Sequence, residues 1–209
     1  MINNDKQNTE KEILIAAENE FLTKGYDGAR TMTIAKNAGV THAMLHYYFR
    51  TKELLFERIV ADKFSSVKHI MLSALGDASL PLLDRIKSGI TQHFDYMSQN
   101  PLLPRFIINE VVSHPERYEI MHKQLNFVVD NIYNDIQKQI DEAAQRGEME
   151  QINAKMLFLS IMSLNIFTFV AYPFIEPLMG NLMADRNKFL EERKAENVET
   201  IMRRIRKQS

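Results

Sequence analysis

Two histidines, His42 and His46, stand four positions apart beside two tyrosines in the stretch THAMLHYYF at 41–49. Residues with this spacing share one face of a helix, and the spacing is common among zinc ligands. A third ligand is missing, because the next positions hold Phe49 and Arg50 and the chain contains no cysteine. We therefore predict no metal site and interpret the rings as groups that contact a partner outside the protein.

The charge around these rings supports the same interpretation. The whole chain has a formal charge of −1, so attraction to a nucleic acid must come from local clustering. Between Gly28 and Lys52 the sequence contains no acidic residue and four basic ones, Arg30, Lys36, Arg50 and Lys52. A basic window that coincides with a candidate recognition segment is what binding to phosphates requires.

A helix-turn-helix over about residues 30–49 would position the rings. We predict short helices from about Thr31 to Ala38 and from about Thr41 to Tyr47, with Gly39 supplying the positive φ of the turn between them. The first helix would complete a three-helix core with the apolar residues Phe21, Leu22, Ile34, Ala38, Val40, Leu45 and Phe49. That core leaves residues 42–44 and 46–48 largely free for contacts outside the protein.

The rest of the chain has a helical period throughout, and we predict an all-α fold. A capping box of Thr9 and Glu12 predicts the start of the first helix, which would end at Gly25. The fourth helix would begin after an N-cap at Thr51 and continue to about Leu75, and a final helix would span 187–205. Breaks are predicted at 76–81, where Pro81 would open the next helix, and at 100–101, 114–115, 146–147 and 172–173.

Several function classes lose support from composition. The absence of cysteine excludes disulfides and thiolate chemistry. No Ser/His/Asp grouping or phosphate loop stands out, so we predict neither catalytic residues nor a cofactor, and an enzyme on a helical scaffold is the weaker alternative. The N-terminus has no apolar signal region, and the apolar run 156–171 is interrupted by polar residues. A cytoplasmic protein without a membrane span is expected, and a regulator that acts only through protein partners is the second alternative.

Residues 10–60 resemble the tetracycline-repressor (TetR) family of bacterial transcription regulators. The resemblance rests on three motifs, which are Phe21…Gly25-Tyr26, Ile34-Ala35…Ala38-Gly39-Val40 and Leu45-His46-Tyr47-Tyr48-Phe49…Lys52-Glu53…Leu55. A looser likeness continues through 147–149 and the apolar helix that precedes Pro173. The resemblance implies a helix-turn-helix DNA-binding domain at 8–69 and a helical effector-binding and dimerisation domain at 70–209.

The resemblance also implies what the two domains do. A homodimer would bind double-stranded DNA at a palindromic operator, with its recognition helices about one turn, or ~34 Å, apart. By position, Thr31 and Lys52 match phosphate contacts, and an anion at Lys52 would relieve the unfavourable placement of a cation at a helix start. The DNA-facing positions are Thr41, His42, Ala43, Met44, His46 and Tyr48, to which we add Tyr47 as the less favoured of the two hydroxyls. The family usually has tyrosine where this chain has His46, and Ser or Thr where it has Arg30.

A small-molecule effector, largely apolar, would bind the second domain and release the DNA. Helical faces rich in Phe and Met suggest contacts from Phe94, Met97, Phe106, Met121, Phe127 and Phe167. Polar contacts could come from His93, Asn109, His114 and Asn165. The helix at 156–171 is apolar almost all round, which fits either a central core helix or a helix with one face packed against a second subunit. The resemblance favours the second arrangement, in which this helix forms the dimer interface together with the final helix.

Overall fold

The computed structural model describes residues 2–77, 79–113 and 118–207, with side chains for 6–77, 79–110, 119 and 133–207. Within these residues the chain is helical and has no strand, apart from an isolated bridge between Met149 and Arg206. The predicted all-α fold is confirmed. The helices are α1 (Ile2–Gly28), α2 (Thr31–Asn37), α3 (His42–Tyr48), α4 (Lys52–Gly76), α5 (Leu82–Gln99), α6 (Leu102–Ser113), α7 (Tyr118–Gln145), α8 (Ala154–Met179) and α9 (Arg186–Ile205), with a short 3-10 turn at Gly180–Met183.

The first helix differs from prediction at its start and agrees at its end. It begins at Ile2, so the predicted start at a Thr9 capping box is wrong. No proline or glycine precedes Thr9, and nothing in the local chemistry stops the helix from extending back through it. At Gly25 the backbone leaves the helical region, with φ 68° and ψ 177°, which interrupts the helix where the sequence predicted its end.

Glycine ends two other helices as predicted. The amide of Gly39 donates to the carbonyl of Lys36 (3.1 Å), and the amide of Val40 donates to Ala35 (3.0 Å). This pair of bonds is the Schellman arrangement, which satisfies the last carbonyls of a helix around a residue with positive φ, here 67° at Gly39. The same pattern follows α7, where φ of Gly147 is 75° and the break near 146–147 is confirmed.

The remaining breaks have mixed outcomes. Helices end and begin on either side of residues 77–81 and 100–101 as predicted, although Pro81 is the N-cap of α5 rather than its first helical residue. The break at 172–173 is wrong, since α8 continues through Pro173 and Pro177 to Met179. A proline removes one backbone donor and can be accommodated within a long helix. The predicted break at 114–115 lies outside the described residues.

The chain divides into two compact units. The first, which we call the head, comprises Met1–Ser65 with Arg105–Gln124, and the second, which we call the body, comprises Ser66–Pro104 with Leu125–Ser209. The predicted domain division at residues 69 and 70 stays a prediction. Aromatic rings form the centre of the head, where Phe56 contacts Phe21, Tyr26 and Phe106 at centroid distances of 5.3, 5.0 and 5.9 Å.

The body buries a continuous aliphatic core between its helices. Ile90 of α5, Ile140 of α7, Leu157 of α8 and Ile205 of α9 are all at most 4% exposed. The amide of Glu150 also donates to the carbonyl of Ile205 (2.8 Å), which fixes the end of α9 against the segment that follows α7.

Candidate DNA-binding surface and ligand cavity

The α2–turn–α3 segment of the head is held from its inner side. Ile34 and Leu45 are fully buried, and Phe49 is 9% exposed, as the helix-turn-helix prediction requires. At the start of α3, the hydroxyl of Thr41 accepts a hydrogen bond from the amide of Met44 (3.1 Å), which makes Thr41 the N-cap. The other face of α3 is therefore fixed in position and directed away from the core.

Most of the predicted DNA-contacting side chains lie on that outer face. Thr41, His42, Ala43 and His46 are exposed, and Met44 is 41% exposed. Tyr47 is 71% exposed whereas Tyr48 is half-buried, so exposure favours Tyr47 as the outward hydroxyl, the reverse of the preference from sequence. Thr31 and Lys52 are also half-buried.

Hydrogen bonds and ring contacts order the two histidines. His42 Nε2 lies 3.0 Å from Thr31 Oγ1, and this hydrogen bond links the first residues of α2 and α3. The rings of His42 and His46 meet edge to face at 4.4 Å. His46 Nδ1 donates to the carbonyl of Arg50 (3.3 Å), since a carbonyl can only accept. Its Nε2 is then an acceptor in the neutral ring and becomes a donor when the ring is protonated.

Lys52 stands at the first position of α4, directly after its N-cap. Thr51 Oγ1 accepts from the amide of Leu54 (3.1 Å), which confirms Thr51 as the cap. The ammonium of Lys52 lies 4.6 Å from the centre of the Tyr26 ring, a cation–π distance. This contact holds the lysine against the head while its charge stays at the end of a helix whose free amides attract anions.

A glutamate from α1 holds the backbone of the residue that precedes α2. Arg30 precedes α2 and makes no capping bond through its side chain. Glu20, 3% exposed, accepts from the Arg30 amide (3.2 Å) and from the ammonium of Lys24 (2.9 Å). The sequence shows the missing Ser or Thr at Arg30 but carries no signal for the bond to Glu20, because that bond depends on how α1 and α2 pack.

A second buried carboxylate holds the kink in α1. Glu110 of α6 is 4% exposed and accepts from the amide of Tyr26 (2.8 Å). A Cβ atom on Gly25 would lie 2.8 Å from the same oxygen, Glu110 Oε1. Sequence reasoning missed Glu110 entirely, since 84 residues separate it from Tyr26.

The body contains an apolar cavity of about 70 Å³ between α4, α5, α7 and α8. Its described lining is almost wholly apolar and includes the flexible side chains of Met71 and Met162. The other described lining residues are Leu75, Ile86, Gly89, Ile90, His93, Tyr133, Ile136, Ala154, Leu157, Phe158 and Ile161.

The residues predicted to contact an effector do not gather at this cavity. Phe94 and Met97 are buried in the body, where the Phe94 ring contacts Phe169 at 5.2 Å. Phe106 lies in the head against Phe56, and Phe167 is 61% exposed. The predicted side chains Met121, Phe127 and His114 lie outside the described residues, and Asn109 is exposed in the head.

The two other predicted polar contacts, His93 and Asn165, do meet. Asn165 Nδ2 lies 3.1 Å from His93 Nδ1 and donates to the carbonyl of Ile90 (3.0 Å). Asn165 Oδ1 accepts from Asn197 Nδ2 of α9 (3.0 Å). All three polar residues are at most 3% exposed, and burial lowers the pKa of His93 to about 4. This network joins the cavity wall at His93 to α8 and α9.

One face of α8 remains uncovered. Apolar side chains exposed by between 52 and 72% follow one another at helical spacing along it, namely Met156, Leu159, Phe167, Phe174 and Leu178. By length and composition alone, the segment Ala154–Met183 could also cross a membrane, with 22% of its most apolar window buried. Among the described residues, no group of three His, Cys, Asp or Glu side chains is placed to hold a metal ion.

Two models of known protein families match this chain. Residues 13–59 match the family model "Bacterial regulatory proteins, tetR family", and residues 83–201 match "Tetracyclin repressor-like, C-terminal domain". An HTH-type transcriptional regulator of Bacillus subtilis, YdgC, is 30% identical over 104 residues, which are 47% of this chain and 53% of YdgC. The chain thus matches about half the length of the curated relatives.

Solved structures extend the likeness to nearly the whole fold. The regulator SCO4942 from Streptomyces coelicolor has a TM-score of 0.70 and 19% identity, covering 94% of this chain and 98% of that one. The TetR-family regulator HI0893 from Haemophilus influenzae has a TM-score of 0.62 and 18% identity, covering 97% and 99%. These likenesses establish the fold, and the C-terminal family model alone spans more than half of the chain. The protein therefore belongs to the TetR family of transcriptional regulators.

Proposed function

We propose that this protein is a dimeric repressor that binds a palindromic DNA operator through the head and releases it when a small molecule occupies the cavity of the body. The observation that carries the proposal is the outer face of α3, where His42, His46 and Tyr47 project from a fixed helix next to a window without acidic residues. DNA as the partner would place the protein in the bacterial cytoplasm.

Each part of this surface has a role suited to its chemistry. Lys52 and Thr31, at the starts of α4 and α2, would contact phosphates, where the amides of the helix ends add attraction. His42, Met44 and His46 would reach base edges in the major groove, since ring nitrogens read donors and acceptors and an apolar side chain suits the thymine methyl group. The hydrogen bond between His42 and Thr31 supports the proposal because it orders both groups before DNA arrives.

Dimerisation is supported by the uncovered face of α8. A row of exposed Phe, Leu and Met side chains along a helix is unfavourable in water and marks an interaction surface. A second copy of the chain would cover this face and bring two heads to successive turns of the DNA. The cavity, which lies in the body and has flexible methionines in its wall, is the proposed effector site.

The change Lys52→Ala tests the phosphate assignment. We expect the variant to bind all duplex sequences more weakly and the slope of log affinity against log salt to fall by about one per head. Fluorescence anisotropy with a random duplex and with a selected operator, at several salt concentrations, measures both quantities. The exposed lysine Lys87 on α5 provides the control Lys87→Ala, which should change neither.

A second arm of the experiment addresses sequence reading. Selection of bound duplexes from a random library should give a two-fold symmetric consensus, and His42→Ala should change that consensus rather than the salt slope. An unaltered slope for Lys52→Ala would reject the phosphate role of Lys52. Absence of any selected consensus with the unchanged protein would reject sequence-specific DNA binding.

A further inference from the structure

The described lining of the cavity in the body bears no charge at neutral pH. Only His93 and Tyr133 bring side-chain polar atoms among the described lining residues. Burial raises the pKa of the Tyr133 hydroxyl and lowers that of His93, so both are neutral. The Tyr133 ring packs edge to face against Phe158 at 5.2 Å and contributes apolar surface. An ion entering this cavity would lose part of its hydration, and no charged side chain of the described lining would compensate for that loss.

The orientation of Asn165 determines what His93 can do. The carbonyl of Ile90 can only accept, so the atom of Asn165 that faces it must be the amide nitrogen. Asn197 Nδ2 independently donates to the opposite atom, Asn165 Oδ1. The second hydrogen of the Asn165 amide is therefore directed at His93 Nδ1, 3.1 Å away.

This arrangement fixes the tautomer of His93. A ring nitrogen that accepts from an amide carries no hydrogen, so in the neutral ring the hydrogen must be on Nε2. Nε2–H makes no hydrogen bond to any other group in the described part of the chain, while His93 lines the cavity and is 3% exposed. Within the described lining, this Nε2–H is a donor of fixed orientation in apolar surroundings.

We infer that the cavity binds a small, uncharged, mostly apolar molecule with a hydrogen-bond acceptor, such as a ketone, ester or lactone carbonyl, and that His93 Nε2–H donates to this acceptor. The inference rests on the proposed function and names the chemical class of its effector. Cationic ligands would meet a donor instead of an acceptor, and carboxylates would need a protonated histidine.

The dimensions of the cavity restrict the size of the ligand. Its volume of about 70 Å³ is smaller than the ~150 Å³ of a leucine-lined cavity that holds benzene. The unbranched side chains of Met71 and Met162 can change conformation to admit a longer molecule. A short acyclic ketone is therefore the appropriate probe for the site as it stands.

Four probes of equal heavy-atom number separate the chemical classes. Butanone carries the acceptor, 2-methyl-1-butene replaces its oxygen with CH₂, sec-butylammonium is a cation and propanoate is an anion. Titration followed by ¹H–¹⁵N NMR of the full-length protein gives the affinity of each probe. We expect butanone to bind about tenfold more tightly than the alkene, because only butanone forms the hydrogen bond with the Nε2–H that lacks a partner in the ligand-free cavity. The two ions should not bind.

Three variants assign the donor. In His93→Phe the preference for butanone should fall to about twofold or less, whereas Tyr133→Phe and His69→Phe, a control at an exposed histidine of α4, should retain it. Long-range ¹H–¹⁵N spectra of the unchanged protein should show His93 protonated at Nε2 alone, and this nitrogen should shift on addition of butanone. If His93→Phe does not fold, these spectra still test whether His93 Nε2–H is the donor to the ligand.

Several results would overturn the inference. They are equal binding of butanone and the alkene, no binding of either, an Nδ1–H tautomer, or a preference lost in Tyr133→Phe and kept in His93→Phe. A different result would reject the proposed function. If butanone binds through His93 and the affinity for a selected operator does not change, the ligand class stands and release by a ligand is rejected.

Discussion

The substitution Gly25→Ala should destabilise the head more than any ordinary exchange of glycine for alanine. The backbone there has φ 68° and ψ 177°, a region that is essentially restricted to glycine, and strain in such regions costs about 1–3 kcal/mol. The new Cβ would also lie 2.8 Å from Glu110 Oε1. The carboxylate can move aside only by giving up its bond to the Tyr26 amide, and losing a buried bond costs about 1–3 kcal/mol.

Together these effects should lower the free energy of unfolding by about 2–6 kcal/mol. For a chain of this length the midpoint of thermal unfolding should fall by roughly 10 °C. Urea unfolding followed by circular dichroism, at fixed protein concentration, measures the change. Hydrogen exchange of residues 13–59 reports opening of the head itself.

Two controls divide this cost into its parts. At Gly39, φ is 67° and a Cβ would have no neighbour within 4 Å, so Gly39→Ala should cost only the backbone strain, about 1–2 kcal/mol. Glu110→Ala removes both the obstacle and the bond to the Tyr26 amide. The double variant Gly25→Ala/Glu110→Ala should therefore be more stable than the sum of the two single effects predicts, by about 1–3 kcal/mol.

The reasoning would be refuted by either of two results. One is an unfolding free energy of Gly25→Ala equal to that of Gly39→Ala, which would mean that Glu110 does not restrict the site. The other is strict additivity in the double variant, which would mean that the Gly25 position and the Glu110 carboxylate act independently.

Two further predictions concern the body. Burial lowers the pKa of His93 from about 6.5 to about 4, so as pH falls the unfolded chain takes up this proton before the folded chain does. The free energy of unfolding should therefore decrease by roughly 3 kcal/mol between these two pH values. In urea unfolding, His93→Phe should show a flatter dependence of stability on pH than the unchanged protein, and equal pH profiles would contradict the assignment. Phe174 on α8 is 72% exposed in the single chain and should be covered in a dimer. Phe174→Glu should therefore give monomers in sedimentation at micromolar concentration, whereas the control Leu80→Glu, outside α8, should leave the dimer intact. A protein that is already monomeric would reject the interface.

The helix-turn-helix could be predicted from sequence because its signals are local. Gly39 is the residue that a Schellman turn requires, Thr51 is a cap, and the spacing of Ile34 and Leu45 gives the buried face. Each of these features depends on neighbours within one or two helical turns. The sequence therefore predicted the position of α3 and its buried face, although it gave the wrong order of exposure for Tyr47 and Tyr48.

Features that depend on packing between distant segments could not be predicted. Glu20 and Glu110 are ordinary acidic residues in the sequence, and only the fold places them beside the amides of Arg30 and Tyr26. The cavity illustrates the same limit, because large rings such as Phe94 pack against other rings and the space remains elsewhere. Helical periodicity identifies a buried face and carries no information about where packing is incomplete.

The bond between Glu110 and Tyr26 bears on how this regulator can be engineered. A chimaera that joins residues 8–69 to another sensing domain would leave behind the carboxylate that holds the kink in α1 and the Phe106 ring that contacts Phe56. The portable unit is discontinuous in sequence, since Arg105–Gln124 belongs to the head. Transplants should carry Arg105–Gln124 along with the recognition helix, or supply a substitute acceptor for the Tyr26 amide.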